Sequence, residues 1–250
     1  MATKIEWTGE TWNPVTGCCT KISPGCEHCY AATMANRLKA IGVKGYENGF
    51  GLTLMPERLN RPLKRKKPTT YFVNSMSDLF HEDIPFEFIQ KVFDVMDSTP
   101  HRFQILTKRP ERMVEFLKNH QKITWLLANI WLGVSVENRK YGLPRIEHLR
   151  SNVYPTTYPP RRFLSIEPLL EDLGPLDLRK IDWVIVGGES GPKARRMKKE
   201  WVENIQEQCK EANIPFFFKQ WGTWGEDGKK RSKKDNSYSL NGQVFREFPQ

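Results

Sequence analysis

Four of the five cysteines lie between positions 18 and 29 of the sequence, and their spacing suits metal chemistry. Cys26 and Cys29 form a CxxC pair, whose two thiolates can converge on one metal. Either Cys18 or Cys19 supplies a third ligand across a short loop, and the residues leave that choice open. A closed structural zinc site needs four protein ligands, so three thiolates leave a coordination position for a substrate or cofactor.

The number of thiolates favours an iron–sulfur cluster over zinc. A 4Fe-4S cluster held by three cysteines leaves one iron open, which is the arrangement that chelates S-adenosyl-L-methionine. A zinc site completed by His28 is the alternative, although His28 lies inside the CxxC loop and reaches the same metal poorly. A redox dithiol formed by the CxxC pair leaves the other two clustered cysteines without a role. Cys209 lies on an apolar helical stripe and is interpreted as a core residue.

Polar side chains follow the predicted strands at the points where those strands end. In a parallel barrel these ends lie at one mouth, where functional groups gather. Carboxylates suit an α-ammonium group and ribose hydroxyls, a lysine suits a carboxylate, and a Gly-Gly pair permits close approach of a ligand to the backbone. The predicted cofactor-binding residues are Ser75, Ser77, Asp78, Lys108, Glu137, Glu167, Gly187, Gly188 and Glu189, and Lys219 completes the ring of charges. The alternative for any single member is a helix cap or a loop salt bridge.

The elements that position these residues alternate between strand and helix. Near-continuous apolar runs are typical of parallel strands covered on both faces. The predicted strands are Tyr71–Val73, Phe103–Leu106, Ile130–Val136, Arg162–Ile166, Trp183–Val186 and Pro215–Phe218, with a seventh before the cysteines. Helical patterns begin near Phe86 and extend over Pro110–Asn119, Asn138–Arg150 and Lys199–Ala212. This alternation predicts an α/β fold, a partial or full parallel (β/α) barrel, and an open doubly wound sheet is the second interpretation.

The length of 250 residues fits one barrel domain over residues 1–250. Residues 1–30 hold the first strand and the cysteine loop, and residues 225–250 form a basic loop and a C-terminal β-hairpin, with Asn241-Gly242 at its turn. No apolar run approaches the roughly 18–20 residues of a membrane span, so no membrane partner is expected. The N-terminus has no apolar leader segment, which indicates a cytoplasmic protein.

The formal net charge of +10 is concentrated in three segments, residues 61–67, 193–199 and 229–234. Such segments attract a phosphate backbone, so nucleic acid, either DNA or RNA, is a predicted partner. The alternative is that they are solvated loops that aid solubility. If the cysteines only staple a loop, these segments with Trp221 and Trp224 would bind a strand by charge and stacking, without catalysis.

A series of motifs covers nearly the whole chain in order: WNPVTGC, SPGCxxCYA, VNSMSDLFHEDIP, ILTKRPERM, GVSVEN, SIEPL, VGGESGP and PFFFKQWG. In these motifs the chain resembles a phage- and prokaryote-associated three-cysteine-motif family of uncharacterised function. That family is similar to radical-SAM enzymes, with spore photoproduct lyase among the nearer relatives. The spacing departs from the usual CxxxCxxC, because the first cysteine here lies farther from Cys26.

The resemblance implies a partial α/β barrel, an iron–sulfur cluster after the first strand and S-adenosylmethionine as a ligand. The leading hypothesis is therefore a radical-SAM-like iron–sulfur enzyme that repairs or modifies nucleic acid. Such an enzyme needs an external electron donor and leaves room for a partner protein. The alternative is a non-catalytic, metal-stabilised nucleic-acid-binding protein.

Overall fold

The computed structural model describes residues 5–17, 20–119, 129–151 and 159–250. Cys18 and Cys19 lie outside these residues, so the choice between them as the third ligand stays a prediction. Among the described helices, none is both long enough and apolar enough to cross a bilayer.

Strands and helices alternate along the described chain. The strands are β1 (Glu10–Trp12), β2 (Val15–Thr16), β3 (Thr53–Leu54), β4 (Thr70–Val73), β5 (Arg102–Thr107), β6 (Ile130–Ser135), β7 (Arg161–Ile166), β8 (Trp183–Gly187), β9 (Phe216–Gln220), β10 (Ser239–Leu240) and β11 (Gln243–Val244). The helices are α1 (Tyr30–Ala40), α2 (Phe86–Asp97), α3 (Pro110–Asn119), α4 (Arg139–Arg150) and α5 (Lys199–Glu211). Short 3₁₀ turns occur at Pro24–Cys26, Pro56–Arg58 and Pro62–Lys64.

Seven strands form one sheet in the order β1-β4-β5-β6-β7-β8-β9. Parallel pairing joins β1 to β4, β4 to β5, β7 to β8 and β8 to β9. The spatial order follows the chain order, whereas a doubly wound sheet reverses direction part-way. The predicted α/β fold with the topology of a partial parallel barrel is therefore confirmed.

The strands form where the sequence is continuously apolar. Every residue of β6 and of β8 is buried, as expected for parallel strands covered on both faces. The amphipathic helices α2 and α5 each bury one stripe, which includes Ile89, Phe93 and Met96 in α2 and Ile205 and Cys209 in α5.

The chain divides into two compact units. The first unit contains Met1–Ile22, Cys29–Gly133 and Ser151–Arg161, and therefore β1 to β5 and α1 to α3. The second contains Ser23–His28, Val134–Arg150 and Arg162–Gln250, and therefore β7 to β11, α4 and α5. The segment Ser23–His28, called the cysteine turn below, belongs to the second unit.

The predicted C-terminal hairpin is present as the antiparallel pair of β10 and β11. Asn241 and Gly242 both have positive φ, 53° and 75°, as a two-residue hairpin turn requires. Beyond the hairpin, Phe245 accepts a hydrogen bond from the Phe218 N–H at 2.8 Å, so the tail pairs with the edge of β9. The tail therefore covers an edge strand that would otherwise expose unpaired backbone groups.

Candidate functional site

The CxxC pair occupies a turn that leads into α1. Cys26 ends the 3₁₀ turn, and its N–H donates to the Ser23 carbonyl at 2.9 Å. Cys29 is the residue immediately before α1. Both thiols are half-buried, and neither forms a disulfide. The two thiols are therefore free of disulfides and partly accessible.

A buried ion pair at the end of β6 holds the first residue of the cysteine turn. Glu137 is fully buried, with 0% exposure, and Arg145 on α4 is 5% exposed. One carboxylate oxygen of Glu137 accepts from Arg145, and the other accepts from the Ser23 hydroxyl. Arg145 also donates to the Ser135 carbonyl at 2.9 Å. Glu137 was predicted to contact a cofactor, but both of its carboxylate oxygens accept hydrogen bonds from side chains of the protein.

The next residues of the turn also lie against Glu137. A Cβ on Gly25 would overlap the Glu137 side chain, so only glycine permits this approach. The glycine before Cys26 therefore has a structural reason that does not depend on any ligand.

A second carboxylate, Glu189 at the end of β8, holds the other side of the turn through Arg195. Glu189 is 6% exposed and accepts from the Arg195 backbone N–H, Nε and Nη2 at 2.8, 2.9 and 2.6 Å. Arg195 in turn donates to the Pro24 carbonyl at 2.9 Å and to Glu27 Oε2 at 3.1 Å. His28 Nδ1 lies 3.2 Å from Glu189 Oε2.

The Glu189–Arg195 pair is ionised at neutral pH. Burial raises the pKa of the Glu189 carboxyl, but hydrogen bonds from Arg195 and His28 outweigh burial, so its pKa lies below the ordinary value. The hydrogen bond to Glu189 raises the pKa of the Arg195 guanidinium. Charge-assisted hydrogen bonds of this kind are stronger than neutral ones.

In the first unit, Asp78 is enclosed by donors from its own surroundings. It accepts from the Phe80 N–H at 3.0 Å, the Thr107 hydroxyl at 2.7 Å and the Lys108 N–H at 3.0 Å. The Arg109 guanidinium lies 3.3 Å from Asp78 Oδ2. The structure thus brings the predicted residues Asp78 and Lys108 together, through the Lys108 backbone.

Ser75 and Ser77, also predicted to contact a cofactor, donate to the chain that follows β1. The Ser75 hydroxyl donates to Asn13 Oδ1 at 3.2 Å, and the Ser77 hydroxyl donates to the Val15 carbonyl at 2.9 Å. The Tyr30 hydroxyl at the start of α1 donates to the Ser75 carbonyl. These contacts tie the segment after β4 to the chain on both sides of the cysteine region.

The residues that flank Cys18 and Cys19 are held by that same segment. The Gly17 N–H donates to the Met76 carbonyl at 3.1 Å. The Thr20 hydroxyl lies 3.0 Å from His81 Nε2 and donates to Glu82 Oε1 at 3.1 Å. Burial raises the pKa of the Glu82 carboxyl, but a backbone hydrogen bond and the nearby Arg109 lower it to about 2, so Glu82 is charged. Sequence patterns did not identify Thr20, His81 or Glu82, because nothing in their spacing connects them.

Glu167 at the end of β7 forms an ion pair with Lys219 on β9, with 3.0 Å between Oε1 and Nζ. Their side chains are 15% and 21% exposed, so the pair is accessible to a ligand. A Cβ on Gly187 would overlap the Glu167 carboxylate, and a Cβ on Gly188 would overlap the Trp221 carbonyl. The Gly-Gly pair, predicted to admit a ligand, is already required by these internal contacts.

The basic segments are partly neutralised within the protein. Arg61 and Arg65 pair with Glu10, and Arg231 pairs with Asp227. The indole of Trp221 is 1% exposed and donates to the Ser239 carbonyl at 2.8 Å. The prediction that Trp221 stacks on a nucleobase is therefore wrong, because its side chain is buried.

The part of Trp224 that a base would stack on is also engaged. Its Nε1 donates to the Ala194 carbonyl at 2.7 Å. The Lys230 ammonium lies 4.8 Å from the ring centroid, in a cation–π contact. A base would have to displace Lys230 to stack there.

The donor set around the cysteine turn fits a thiolate-bound metal. Soft thiolates suit iron–sulfur clusters and zinc alike. Within the described residues no three His, Cys, Asp or Glu side chains converge on a metal position, and Cys18 and Cys19 fall outside them. His28 has Nε2 as its remaining nitrogen for a zinc ligand, since Nδ1 contacts Glu189. Cys26 and Cys29 are thiols of the type that the predicted site requires, and the predicted third ligand, Cys18 or Cys19, lies outside the described residues.

A family model described as "Protein of unknown function (DUF5131)" matches residues 2–249. No curated protein matches the sequence.

Several solved structures of spore photoproduct lyase are similar to this chain. A cysteine-to-serine mutant has a TM-score of 0.48 at 16% identity, covering 84% of this chain and 63% of that chain. The lyase complexed with dinucleoside spore photoproduct has a TM-score of 0.43 at 15% identity, covering 79% and 59%. A double mutant with bound AdoMet and the same dinucleoside has a TM-score of 0.43 at 14% identity, covering 80% and 61%. The chain spans less than two thirds of the length of these lyases.

Proposed function

The chain belongs to DUF5131, a family of proteins of unknown function, and we propose from its residues that it is a radical S-adenosylmethionine-type iron–sulfur enzyme that acts on nucleic acid. Cys26 and Cys29, with Cys18 or Cys19, would hold a 4Fe-4S cluster. Such a cluster, once reduced by an external electron donor, supplies the electron that cleaves S-adenosylmethionine to a hydrogen-abstracting radical.

The observation that carries the proposal is the setting of the CxxC pair. The two thiols form no disulfide and are half-buried, and the turn that bears Cys26 is fixed to two buried carboxylates at the ends of strands. In parallel α/β folds the carboxyl ends of the strands carry the functional groups. A thiol pair close to these strand ends favours a catalytic metal site over a purely structural one.

Within this proposal the chain's own residues bind and orient the second ligand. The accessible Glu167–Lys219 pair offers a carboxylate for an ammonium group or ribose hydroxyls and an ammonium for a carboxylate. Ser165 Oγ lies 3.3 Å from Glu167 Oε2 and helps to orient it. Glu137 and Glu189, in contrast, are engaged with Arg145, Arg195 and the cysteine turn.

The first test of this function is S-adenosylmethionine binding by metal-loaded, anaerobic protein. Glu167→Gln removes the charge that pairs with Lys219, so the affinity is expected to fall about tenfold or more, as when a charged hydrogen bond is lost. Glu171→Gln is the matched control, because Glu171 accepts from the Arg139 N–H at the protein surface. Isothermal calorimetry measures both affinities, and chromatography then measures whether reduced protein consumes the ligand. Unchanged affinity in Glu167→Gln would show that this pair serves the fold alone.

The alternative, a non-catalytic metal-stabilised nucleic-acid-binding protein, has one observation in its favour. Glu137 and Glu189 hold the cysteine turn, so their burial needs no cofactor to explain it. The accessible Glu167–Lys219 pair distinguishes the enzyme from the non-catalytic binding protein, because only the enzyme needs to bind a small ligand at that position. Protein that binds nucleic acid but no S-adenosylmethionine would favour the alternative.

The nucleic-acid substrate rests on lysines that remain exposed in the basic segments. The segment 229–234 contains Lys229, Lys230, Lys233 and Lys234, all of which are exposed, and Lys230 lies against the Trp224 ring. Changing all four to glutamine is expected to lower the salt slope of oligonucleotide binding by up to about one unit per lost phosphate contact.

Fluorescence titration of single- and double-stranded DNA and RNA at two salt concentrations measures this slope. The matched control changes four exposed lysines outside the segments to glutamine, namely Lys39, Lys91, Lys118 and Lys210. Its salt slope should stay closer to that of the wild type than the slope of the 229–234 variant does. An equal loss in both variants would mean that binding follows net charge and not this segment.

A further inference from the structure

Arg195 lies in the basic segment 193–199, yet its side chain is turned toward the cysteine turn. The Arg195 side chain is 29% exposed, whereas the side chain of its partner Glu189 is 5% exposed. The guanidinium spans Glu189 on one side and the Pro24 carbonyl and Glu27 on the other. Such a residue is committed to internal contacts and not to a phosphate backbone.

The geometry of arginine suits this bridging position. A planar guanidinium offers five N–H donors in a fixed fork, so it can bind a carboxylate and a carbonyl at the same time. Glu189 accepts two hydrogen bonds from the guanidinium, from Nε and Nη2, and a third from the Arg195 backbone N–H. Glu189 therefore fixes the orientation of the guanidinium that donates to the cysteine turn.

The atom that Arg195 holds is placed to determine where Cys26 lies. Pro24 is the first residue of the 3₁₀ turn, and Cys26 is the last. The Glu27 N–H donates to the same Pro24 carbonyl at 3.2 Å, which closes the turn. On the other side Ser23 donates to buried Glu137, and Gly25 packs on that side chain. The backbone of the turn is therefore fixed from two sides by side chains.

We propose that Arg195 is a positioning residue, which together with Glu189 pre-forms the cysteine turn so that Cys26 is in place before a metal binds. The identity of the metal rests on the proposed function, but the positioning does not. In many small metal sites the ligands order only when the metal arrives. Here the contacts that order the turn are made by Arg195 and Glu189, which are side chains of the protein and do not depend on the metal.

The test compares Arg195→Ala, Arg195→Lys and the control Arg196→Ala in the full chain. Arg196 is the exposed neighbour in the same basic segment, so its removal changes the net charge equally. Lysine at position 195 keeps the charge beside Glu189 but cannot form the fork. The Arg195→Lys variant also tests the proposal if the alanine variant folds poorly.

The first measurement is hydrogen exchange of residues 23–28 in metal-free protein. Arg195→Ala is expected to speed exchange of the Cys26 and Glu27 amides by about an order of magnitude, Arg195→Lys by less, and Arg196→Ala not at all. The second is the rate at which a chelator removes iron from anaerobically loaded protein, which should rise about 10–100-fold in Arg195→Ala, as for other residues that orient metal ligands.

Identical exchange in wild type and both Arg195 variants would overturn the positioning role, even if the protein holds iron. Faster exchange in the variants of a protein that holds no iron would support the positioning role and overturn the iron–sulfur function. The two ideas therefore fail separately.

Discussion

Cys26→Ser protein purified without oxygen is expected to hold no stable cluster. The hydroxyl is a poor substitute for a thiolate, and loss of a direct ligand should weaken metal binding by more than the roughly 100-fold that outer residues cause. Cys29→Ser should behave in the same way. Cys18→Ser and Cys19→Ser should differ from each other, because one third ligand suffices. Iron and sulfide assays with visible absorbance measure the loss.

Cys209→Ala is the matched control for these variants. Cys209 is fully buried on α5, and burial raises the pKa of its thiol to about 12, so it supplies no thiolate. The iron content of this variant should equal that of the wild type. Wild-type iron in Cys26→Ser would contradict the proposed ligand set.

Glu137→Ala is expected to destabilise the protein by about 3–5 kcal/mol, because it leaves the buried Arg145 charge without its carboxylate. It also removes the acceptor of the Ser23 hydroxyl and so loosens the cysteine turn. Chemical denaturation of metal-free protein measures the free energy of unfolding separately from metal binding.

The control for Glu137 is Glu147→Ala on α4. Glu147 is 69% exposed and pairs with Arg150 at the surface, so its loss should cost no more than about 1 kcal/mol. Replacing Glu137 and Arg145 together with methionine should recover part of the lost stability, since no unpaired charge is then buried. Similar losses in Glu137→Ala and Glu147→Ala would show that the buried pair does not hold this end of the sheet.

The strands could be predicted from sequence because parallel strands buried on both faces have continuous apolar runs. The helix α1 could not, since it buries only Ala31 and Ala35, which give no apolar periodicity. The tail was recognised as a hairpin from Asn241-Gly242, but its pairing with β9 depends on tertiary contacts.

The sequence identified residues at the strand ends as candidates, but it did not identify the side chains that contact them. Glu137 and Glu189 were identified because they follow strands, and both lie beside the cysteine turn. Their contacts with Arg145 and Arg195 could not be inferred, because which side chains meet at a strand end depends on how the connections fold back. Arg195 was assigned to a basic surface segment for the same reason, since charge runs do not reveal which side chains turn inward.

The metal content of anaerobically purified wild-type protein measures directly whether the cysteines hold an iron–sulfur cluster. An iron–sulfur enzyme predicts about four irons and four acid-labile sulfides per chain, with absorbance that bleaches on reduction or exposure to air. Protein that holds stoichiometric zinc and no sulfide would rule out the iron–sulfur enzyme and leave the cysteines as ligands of a structural zinc site.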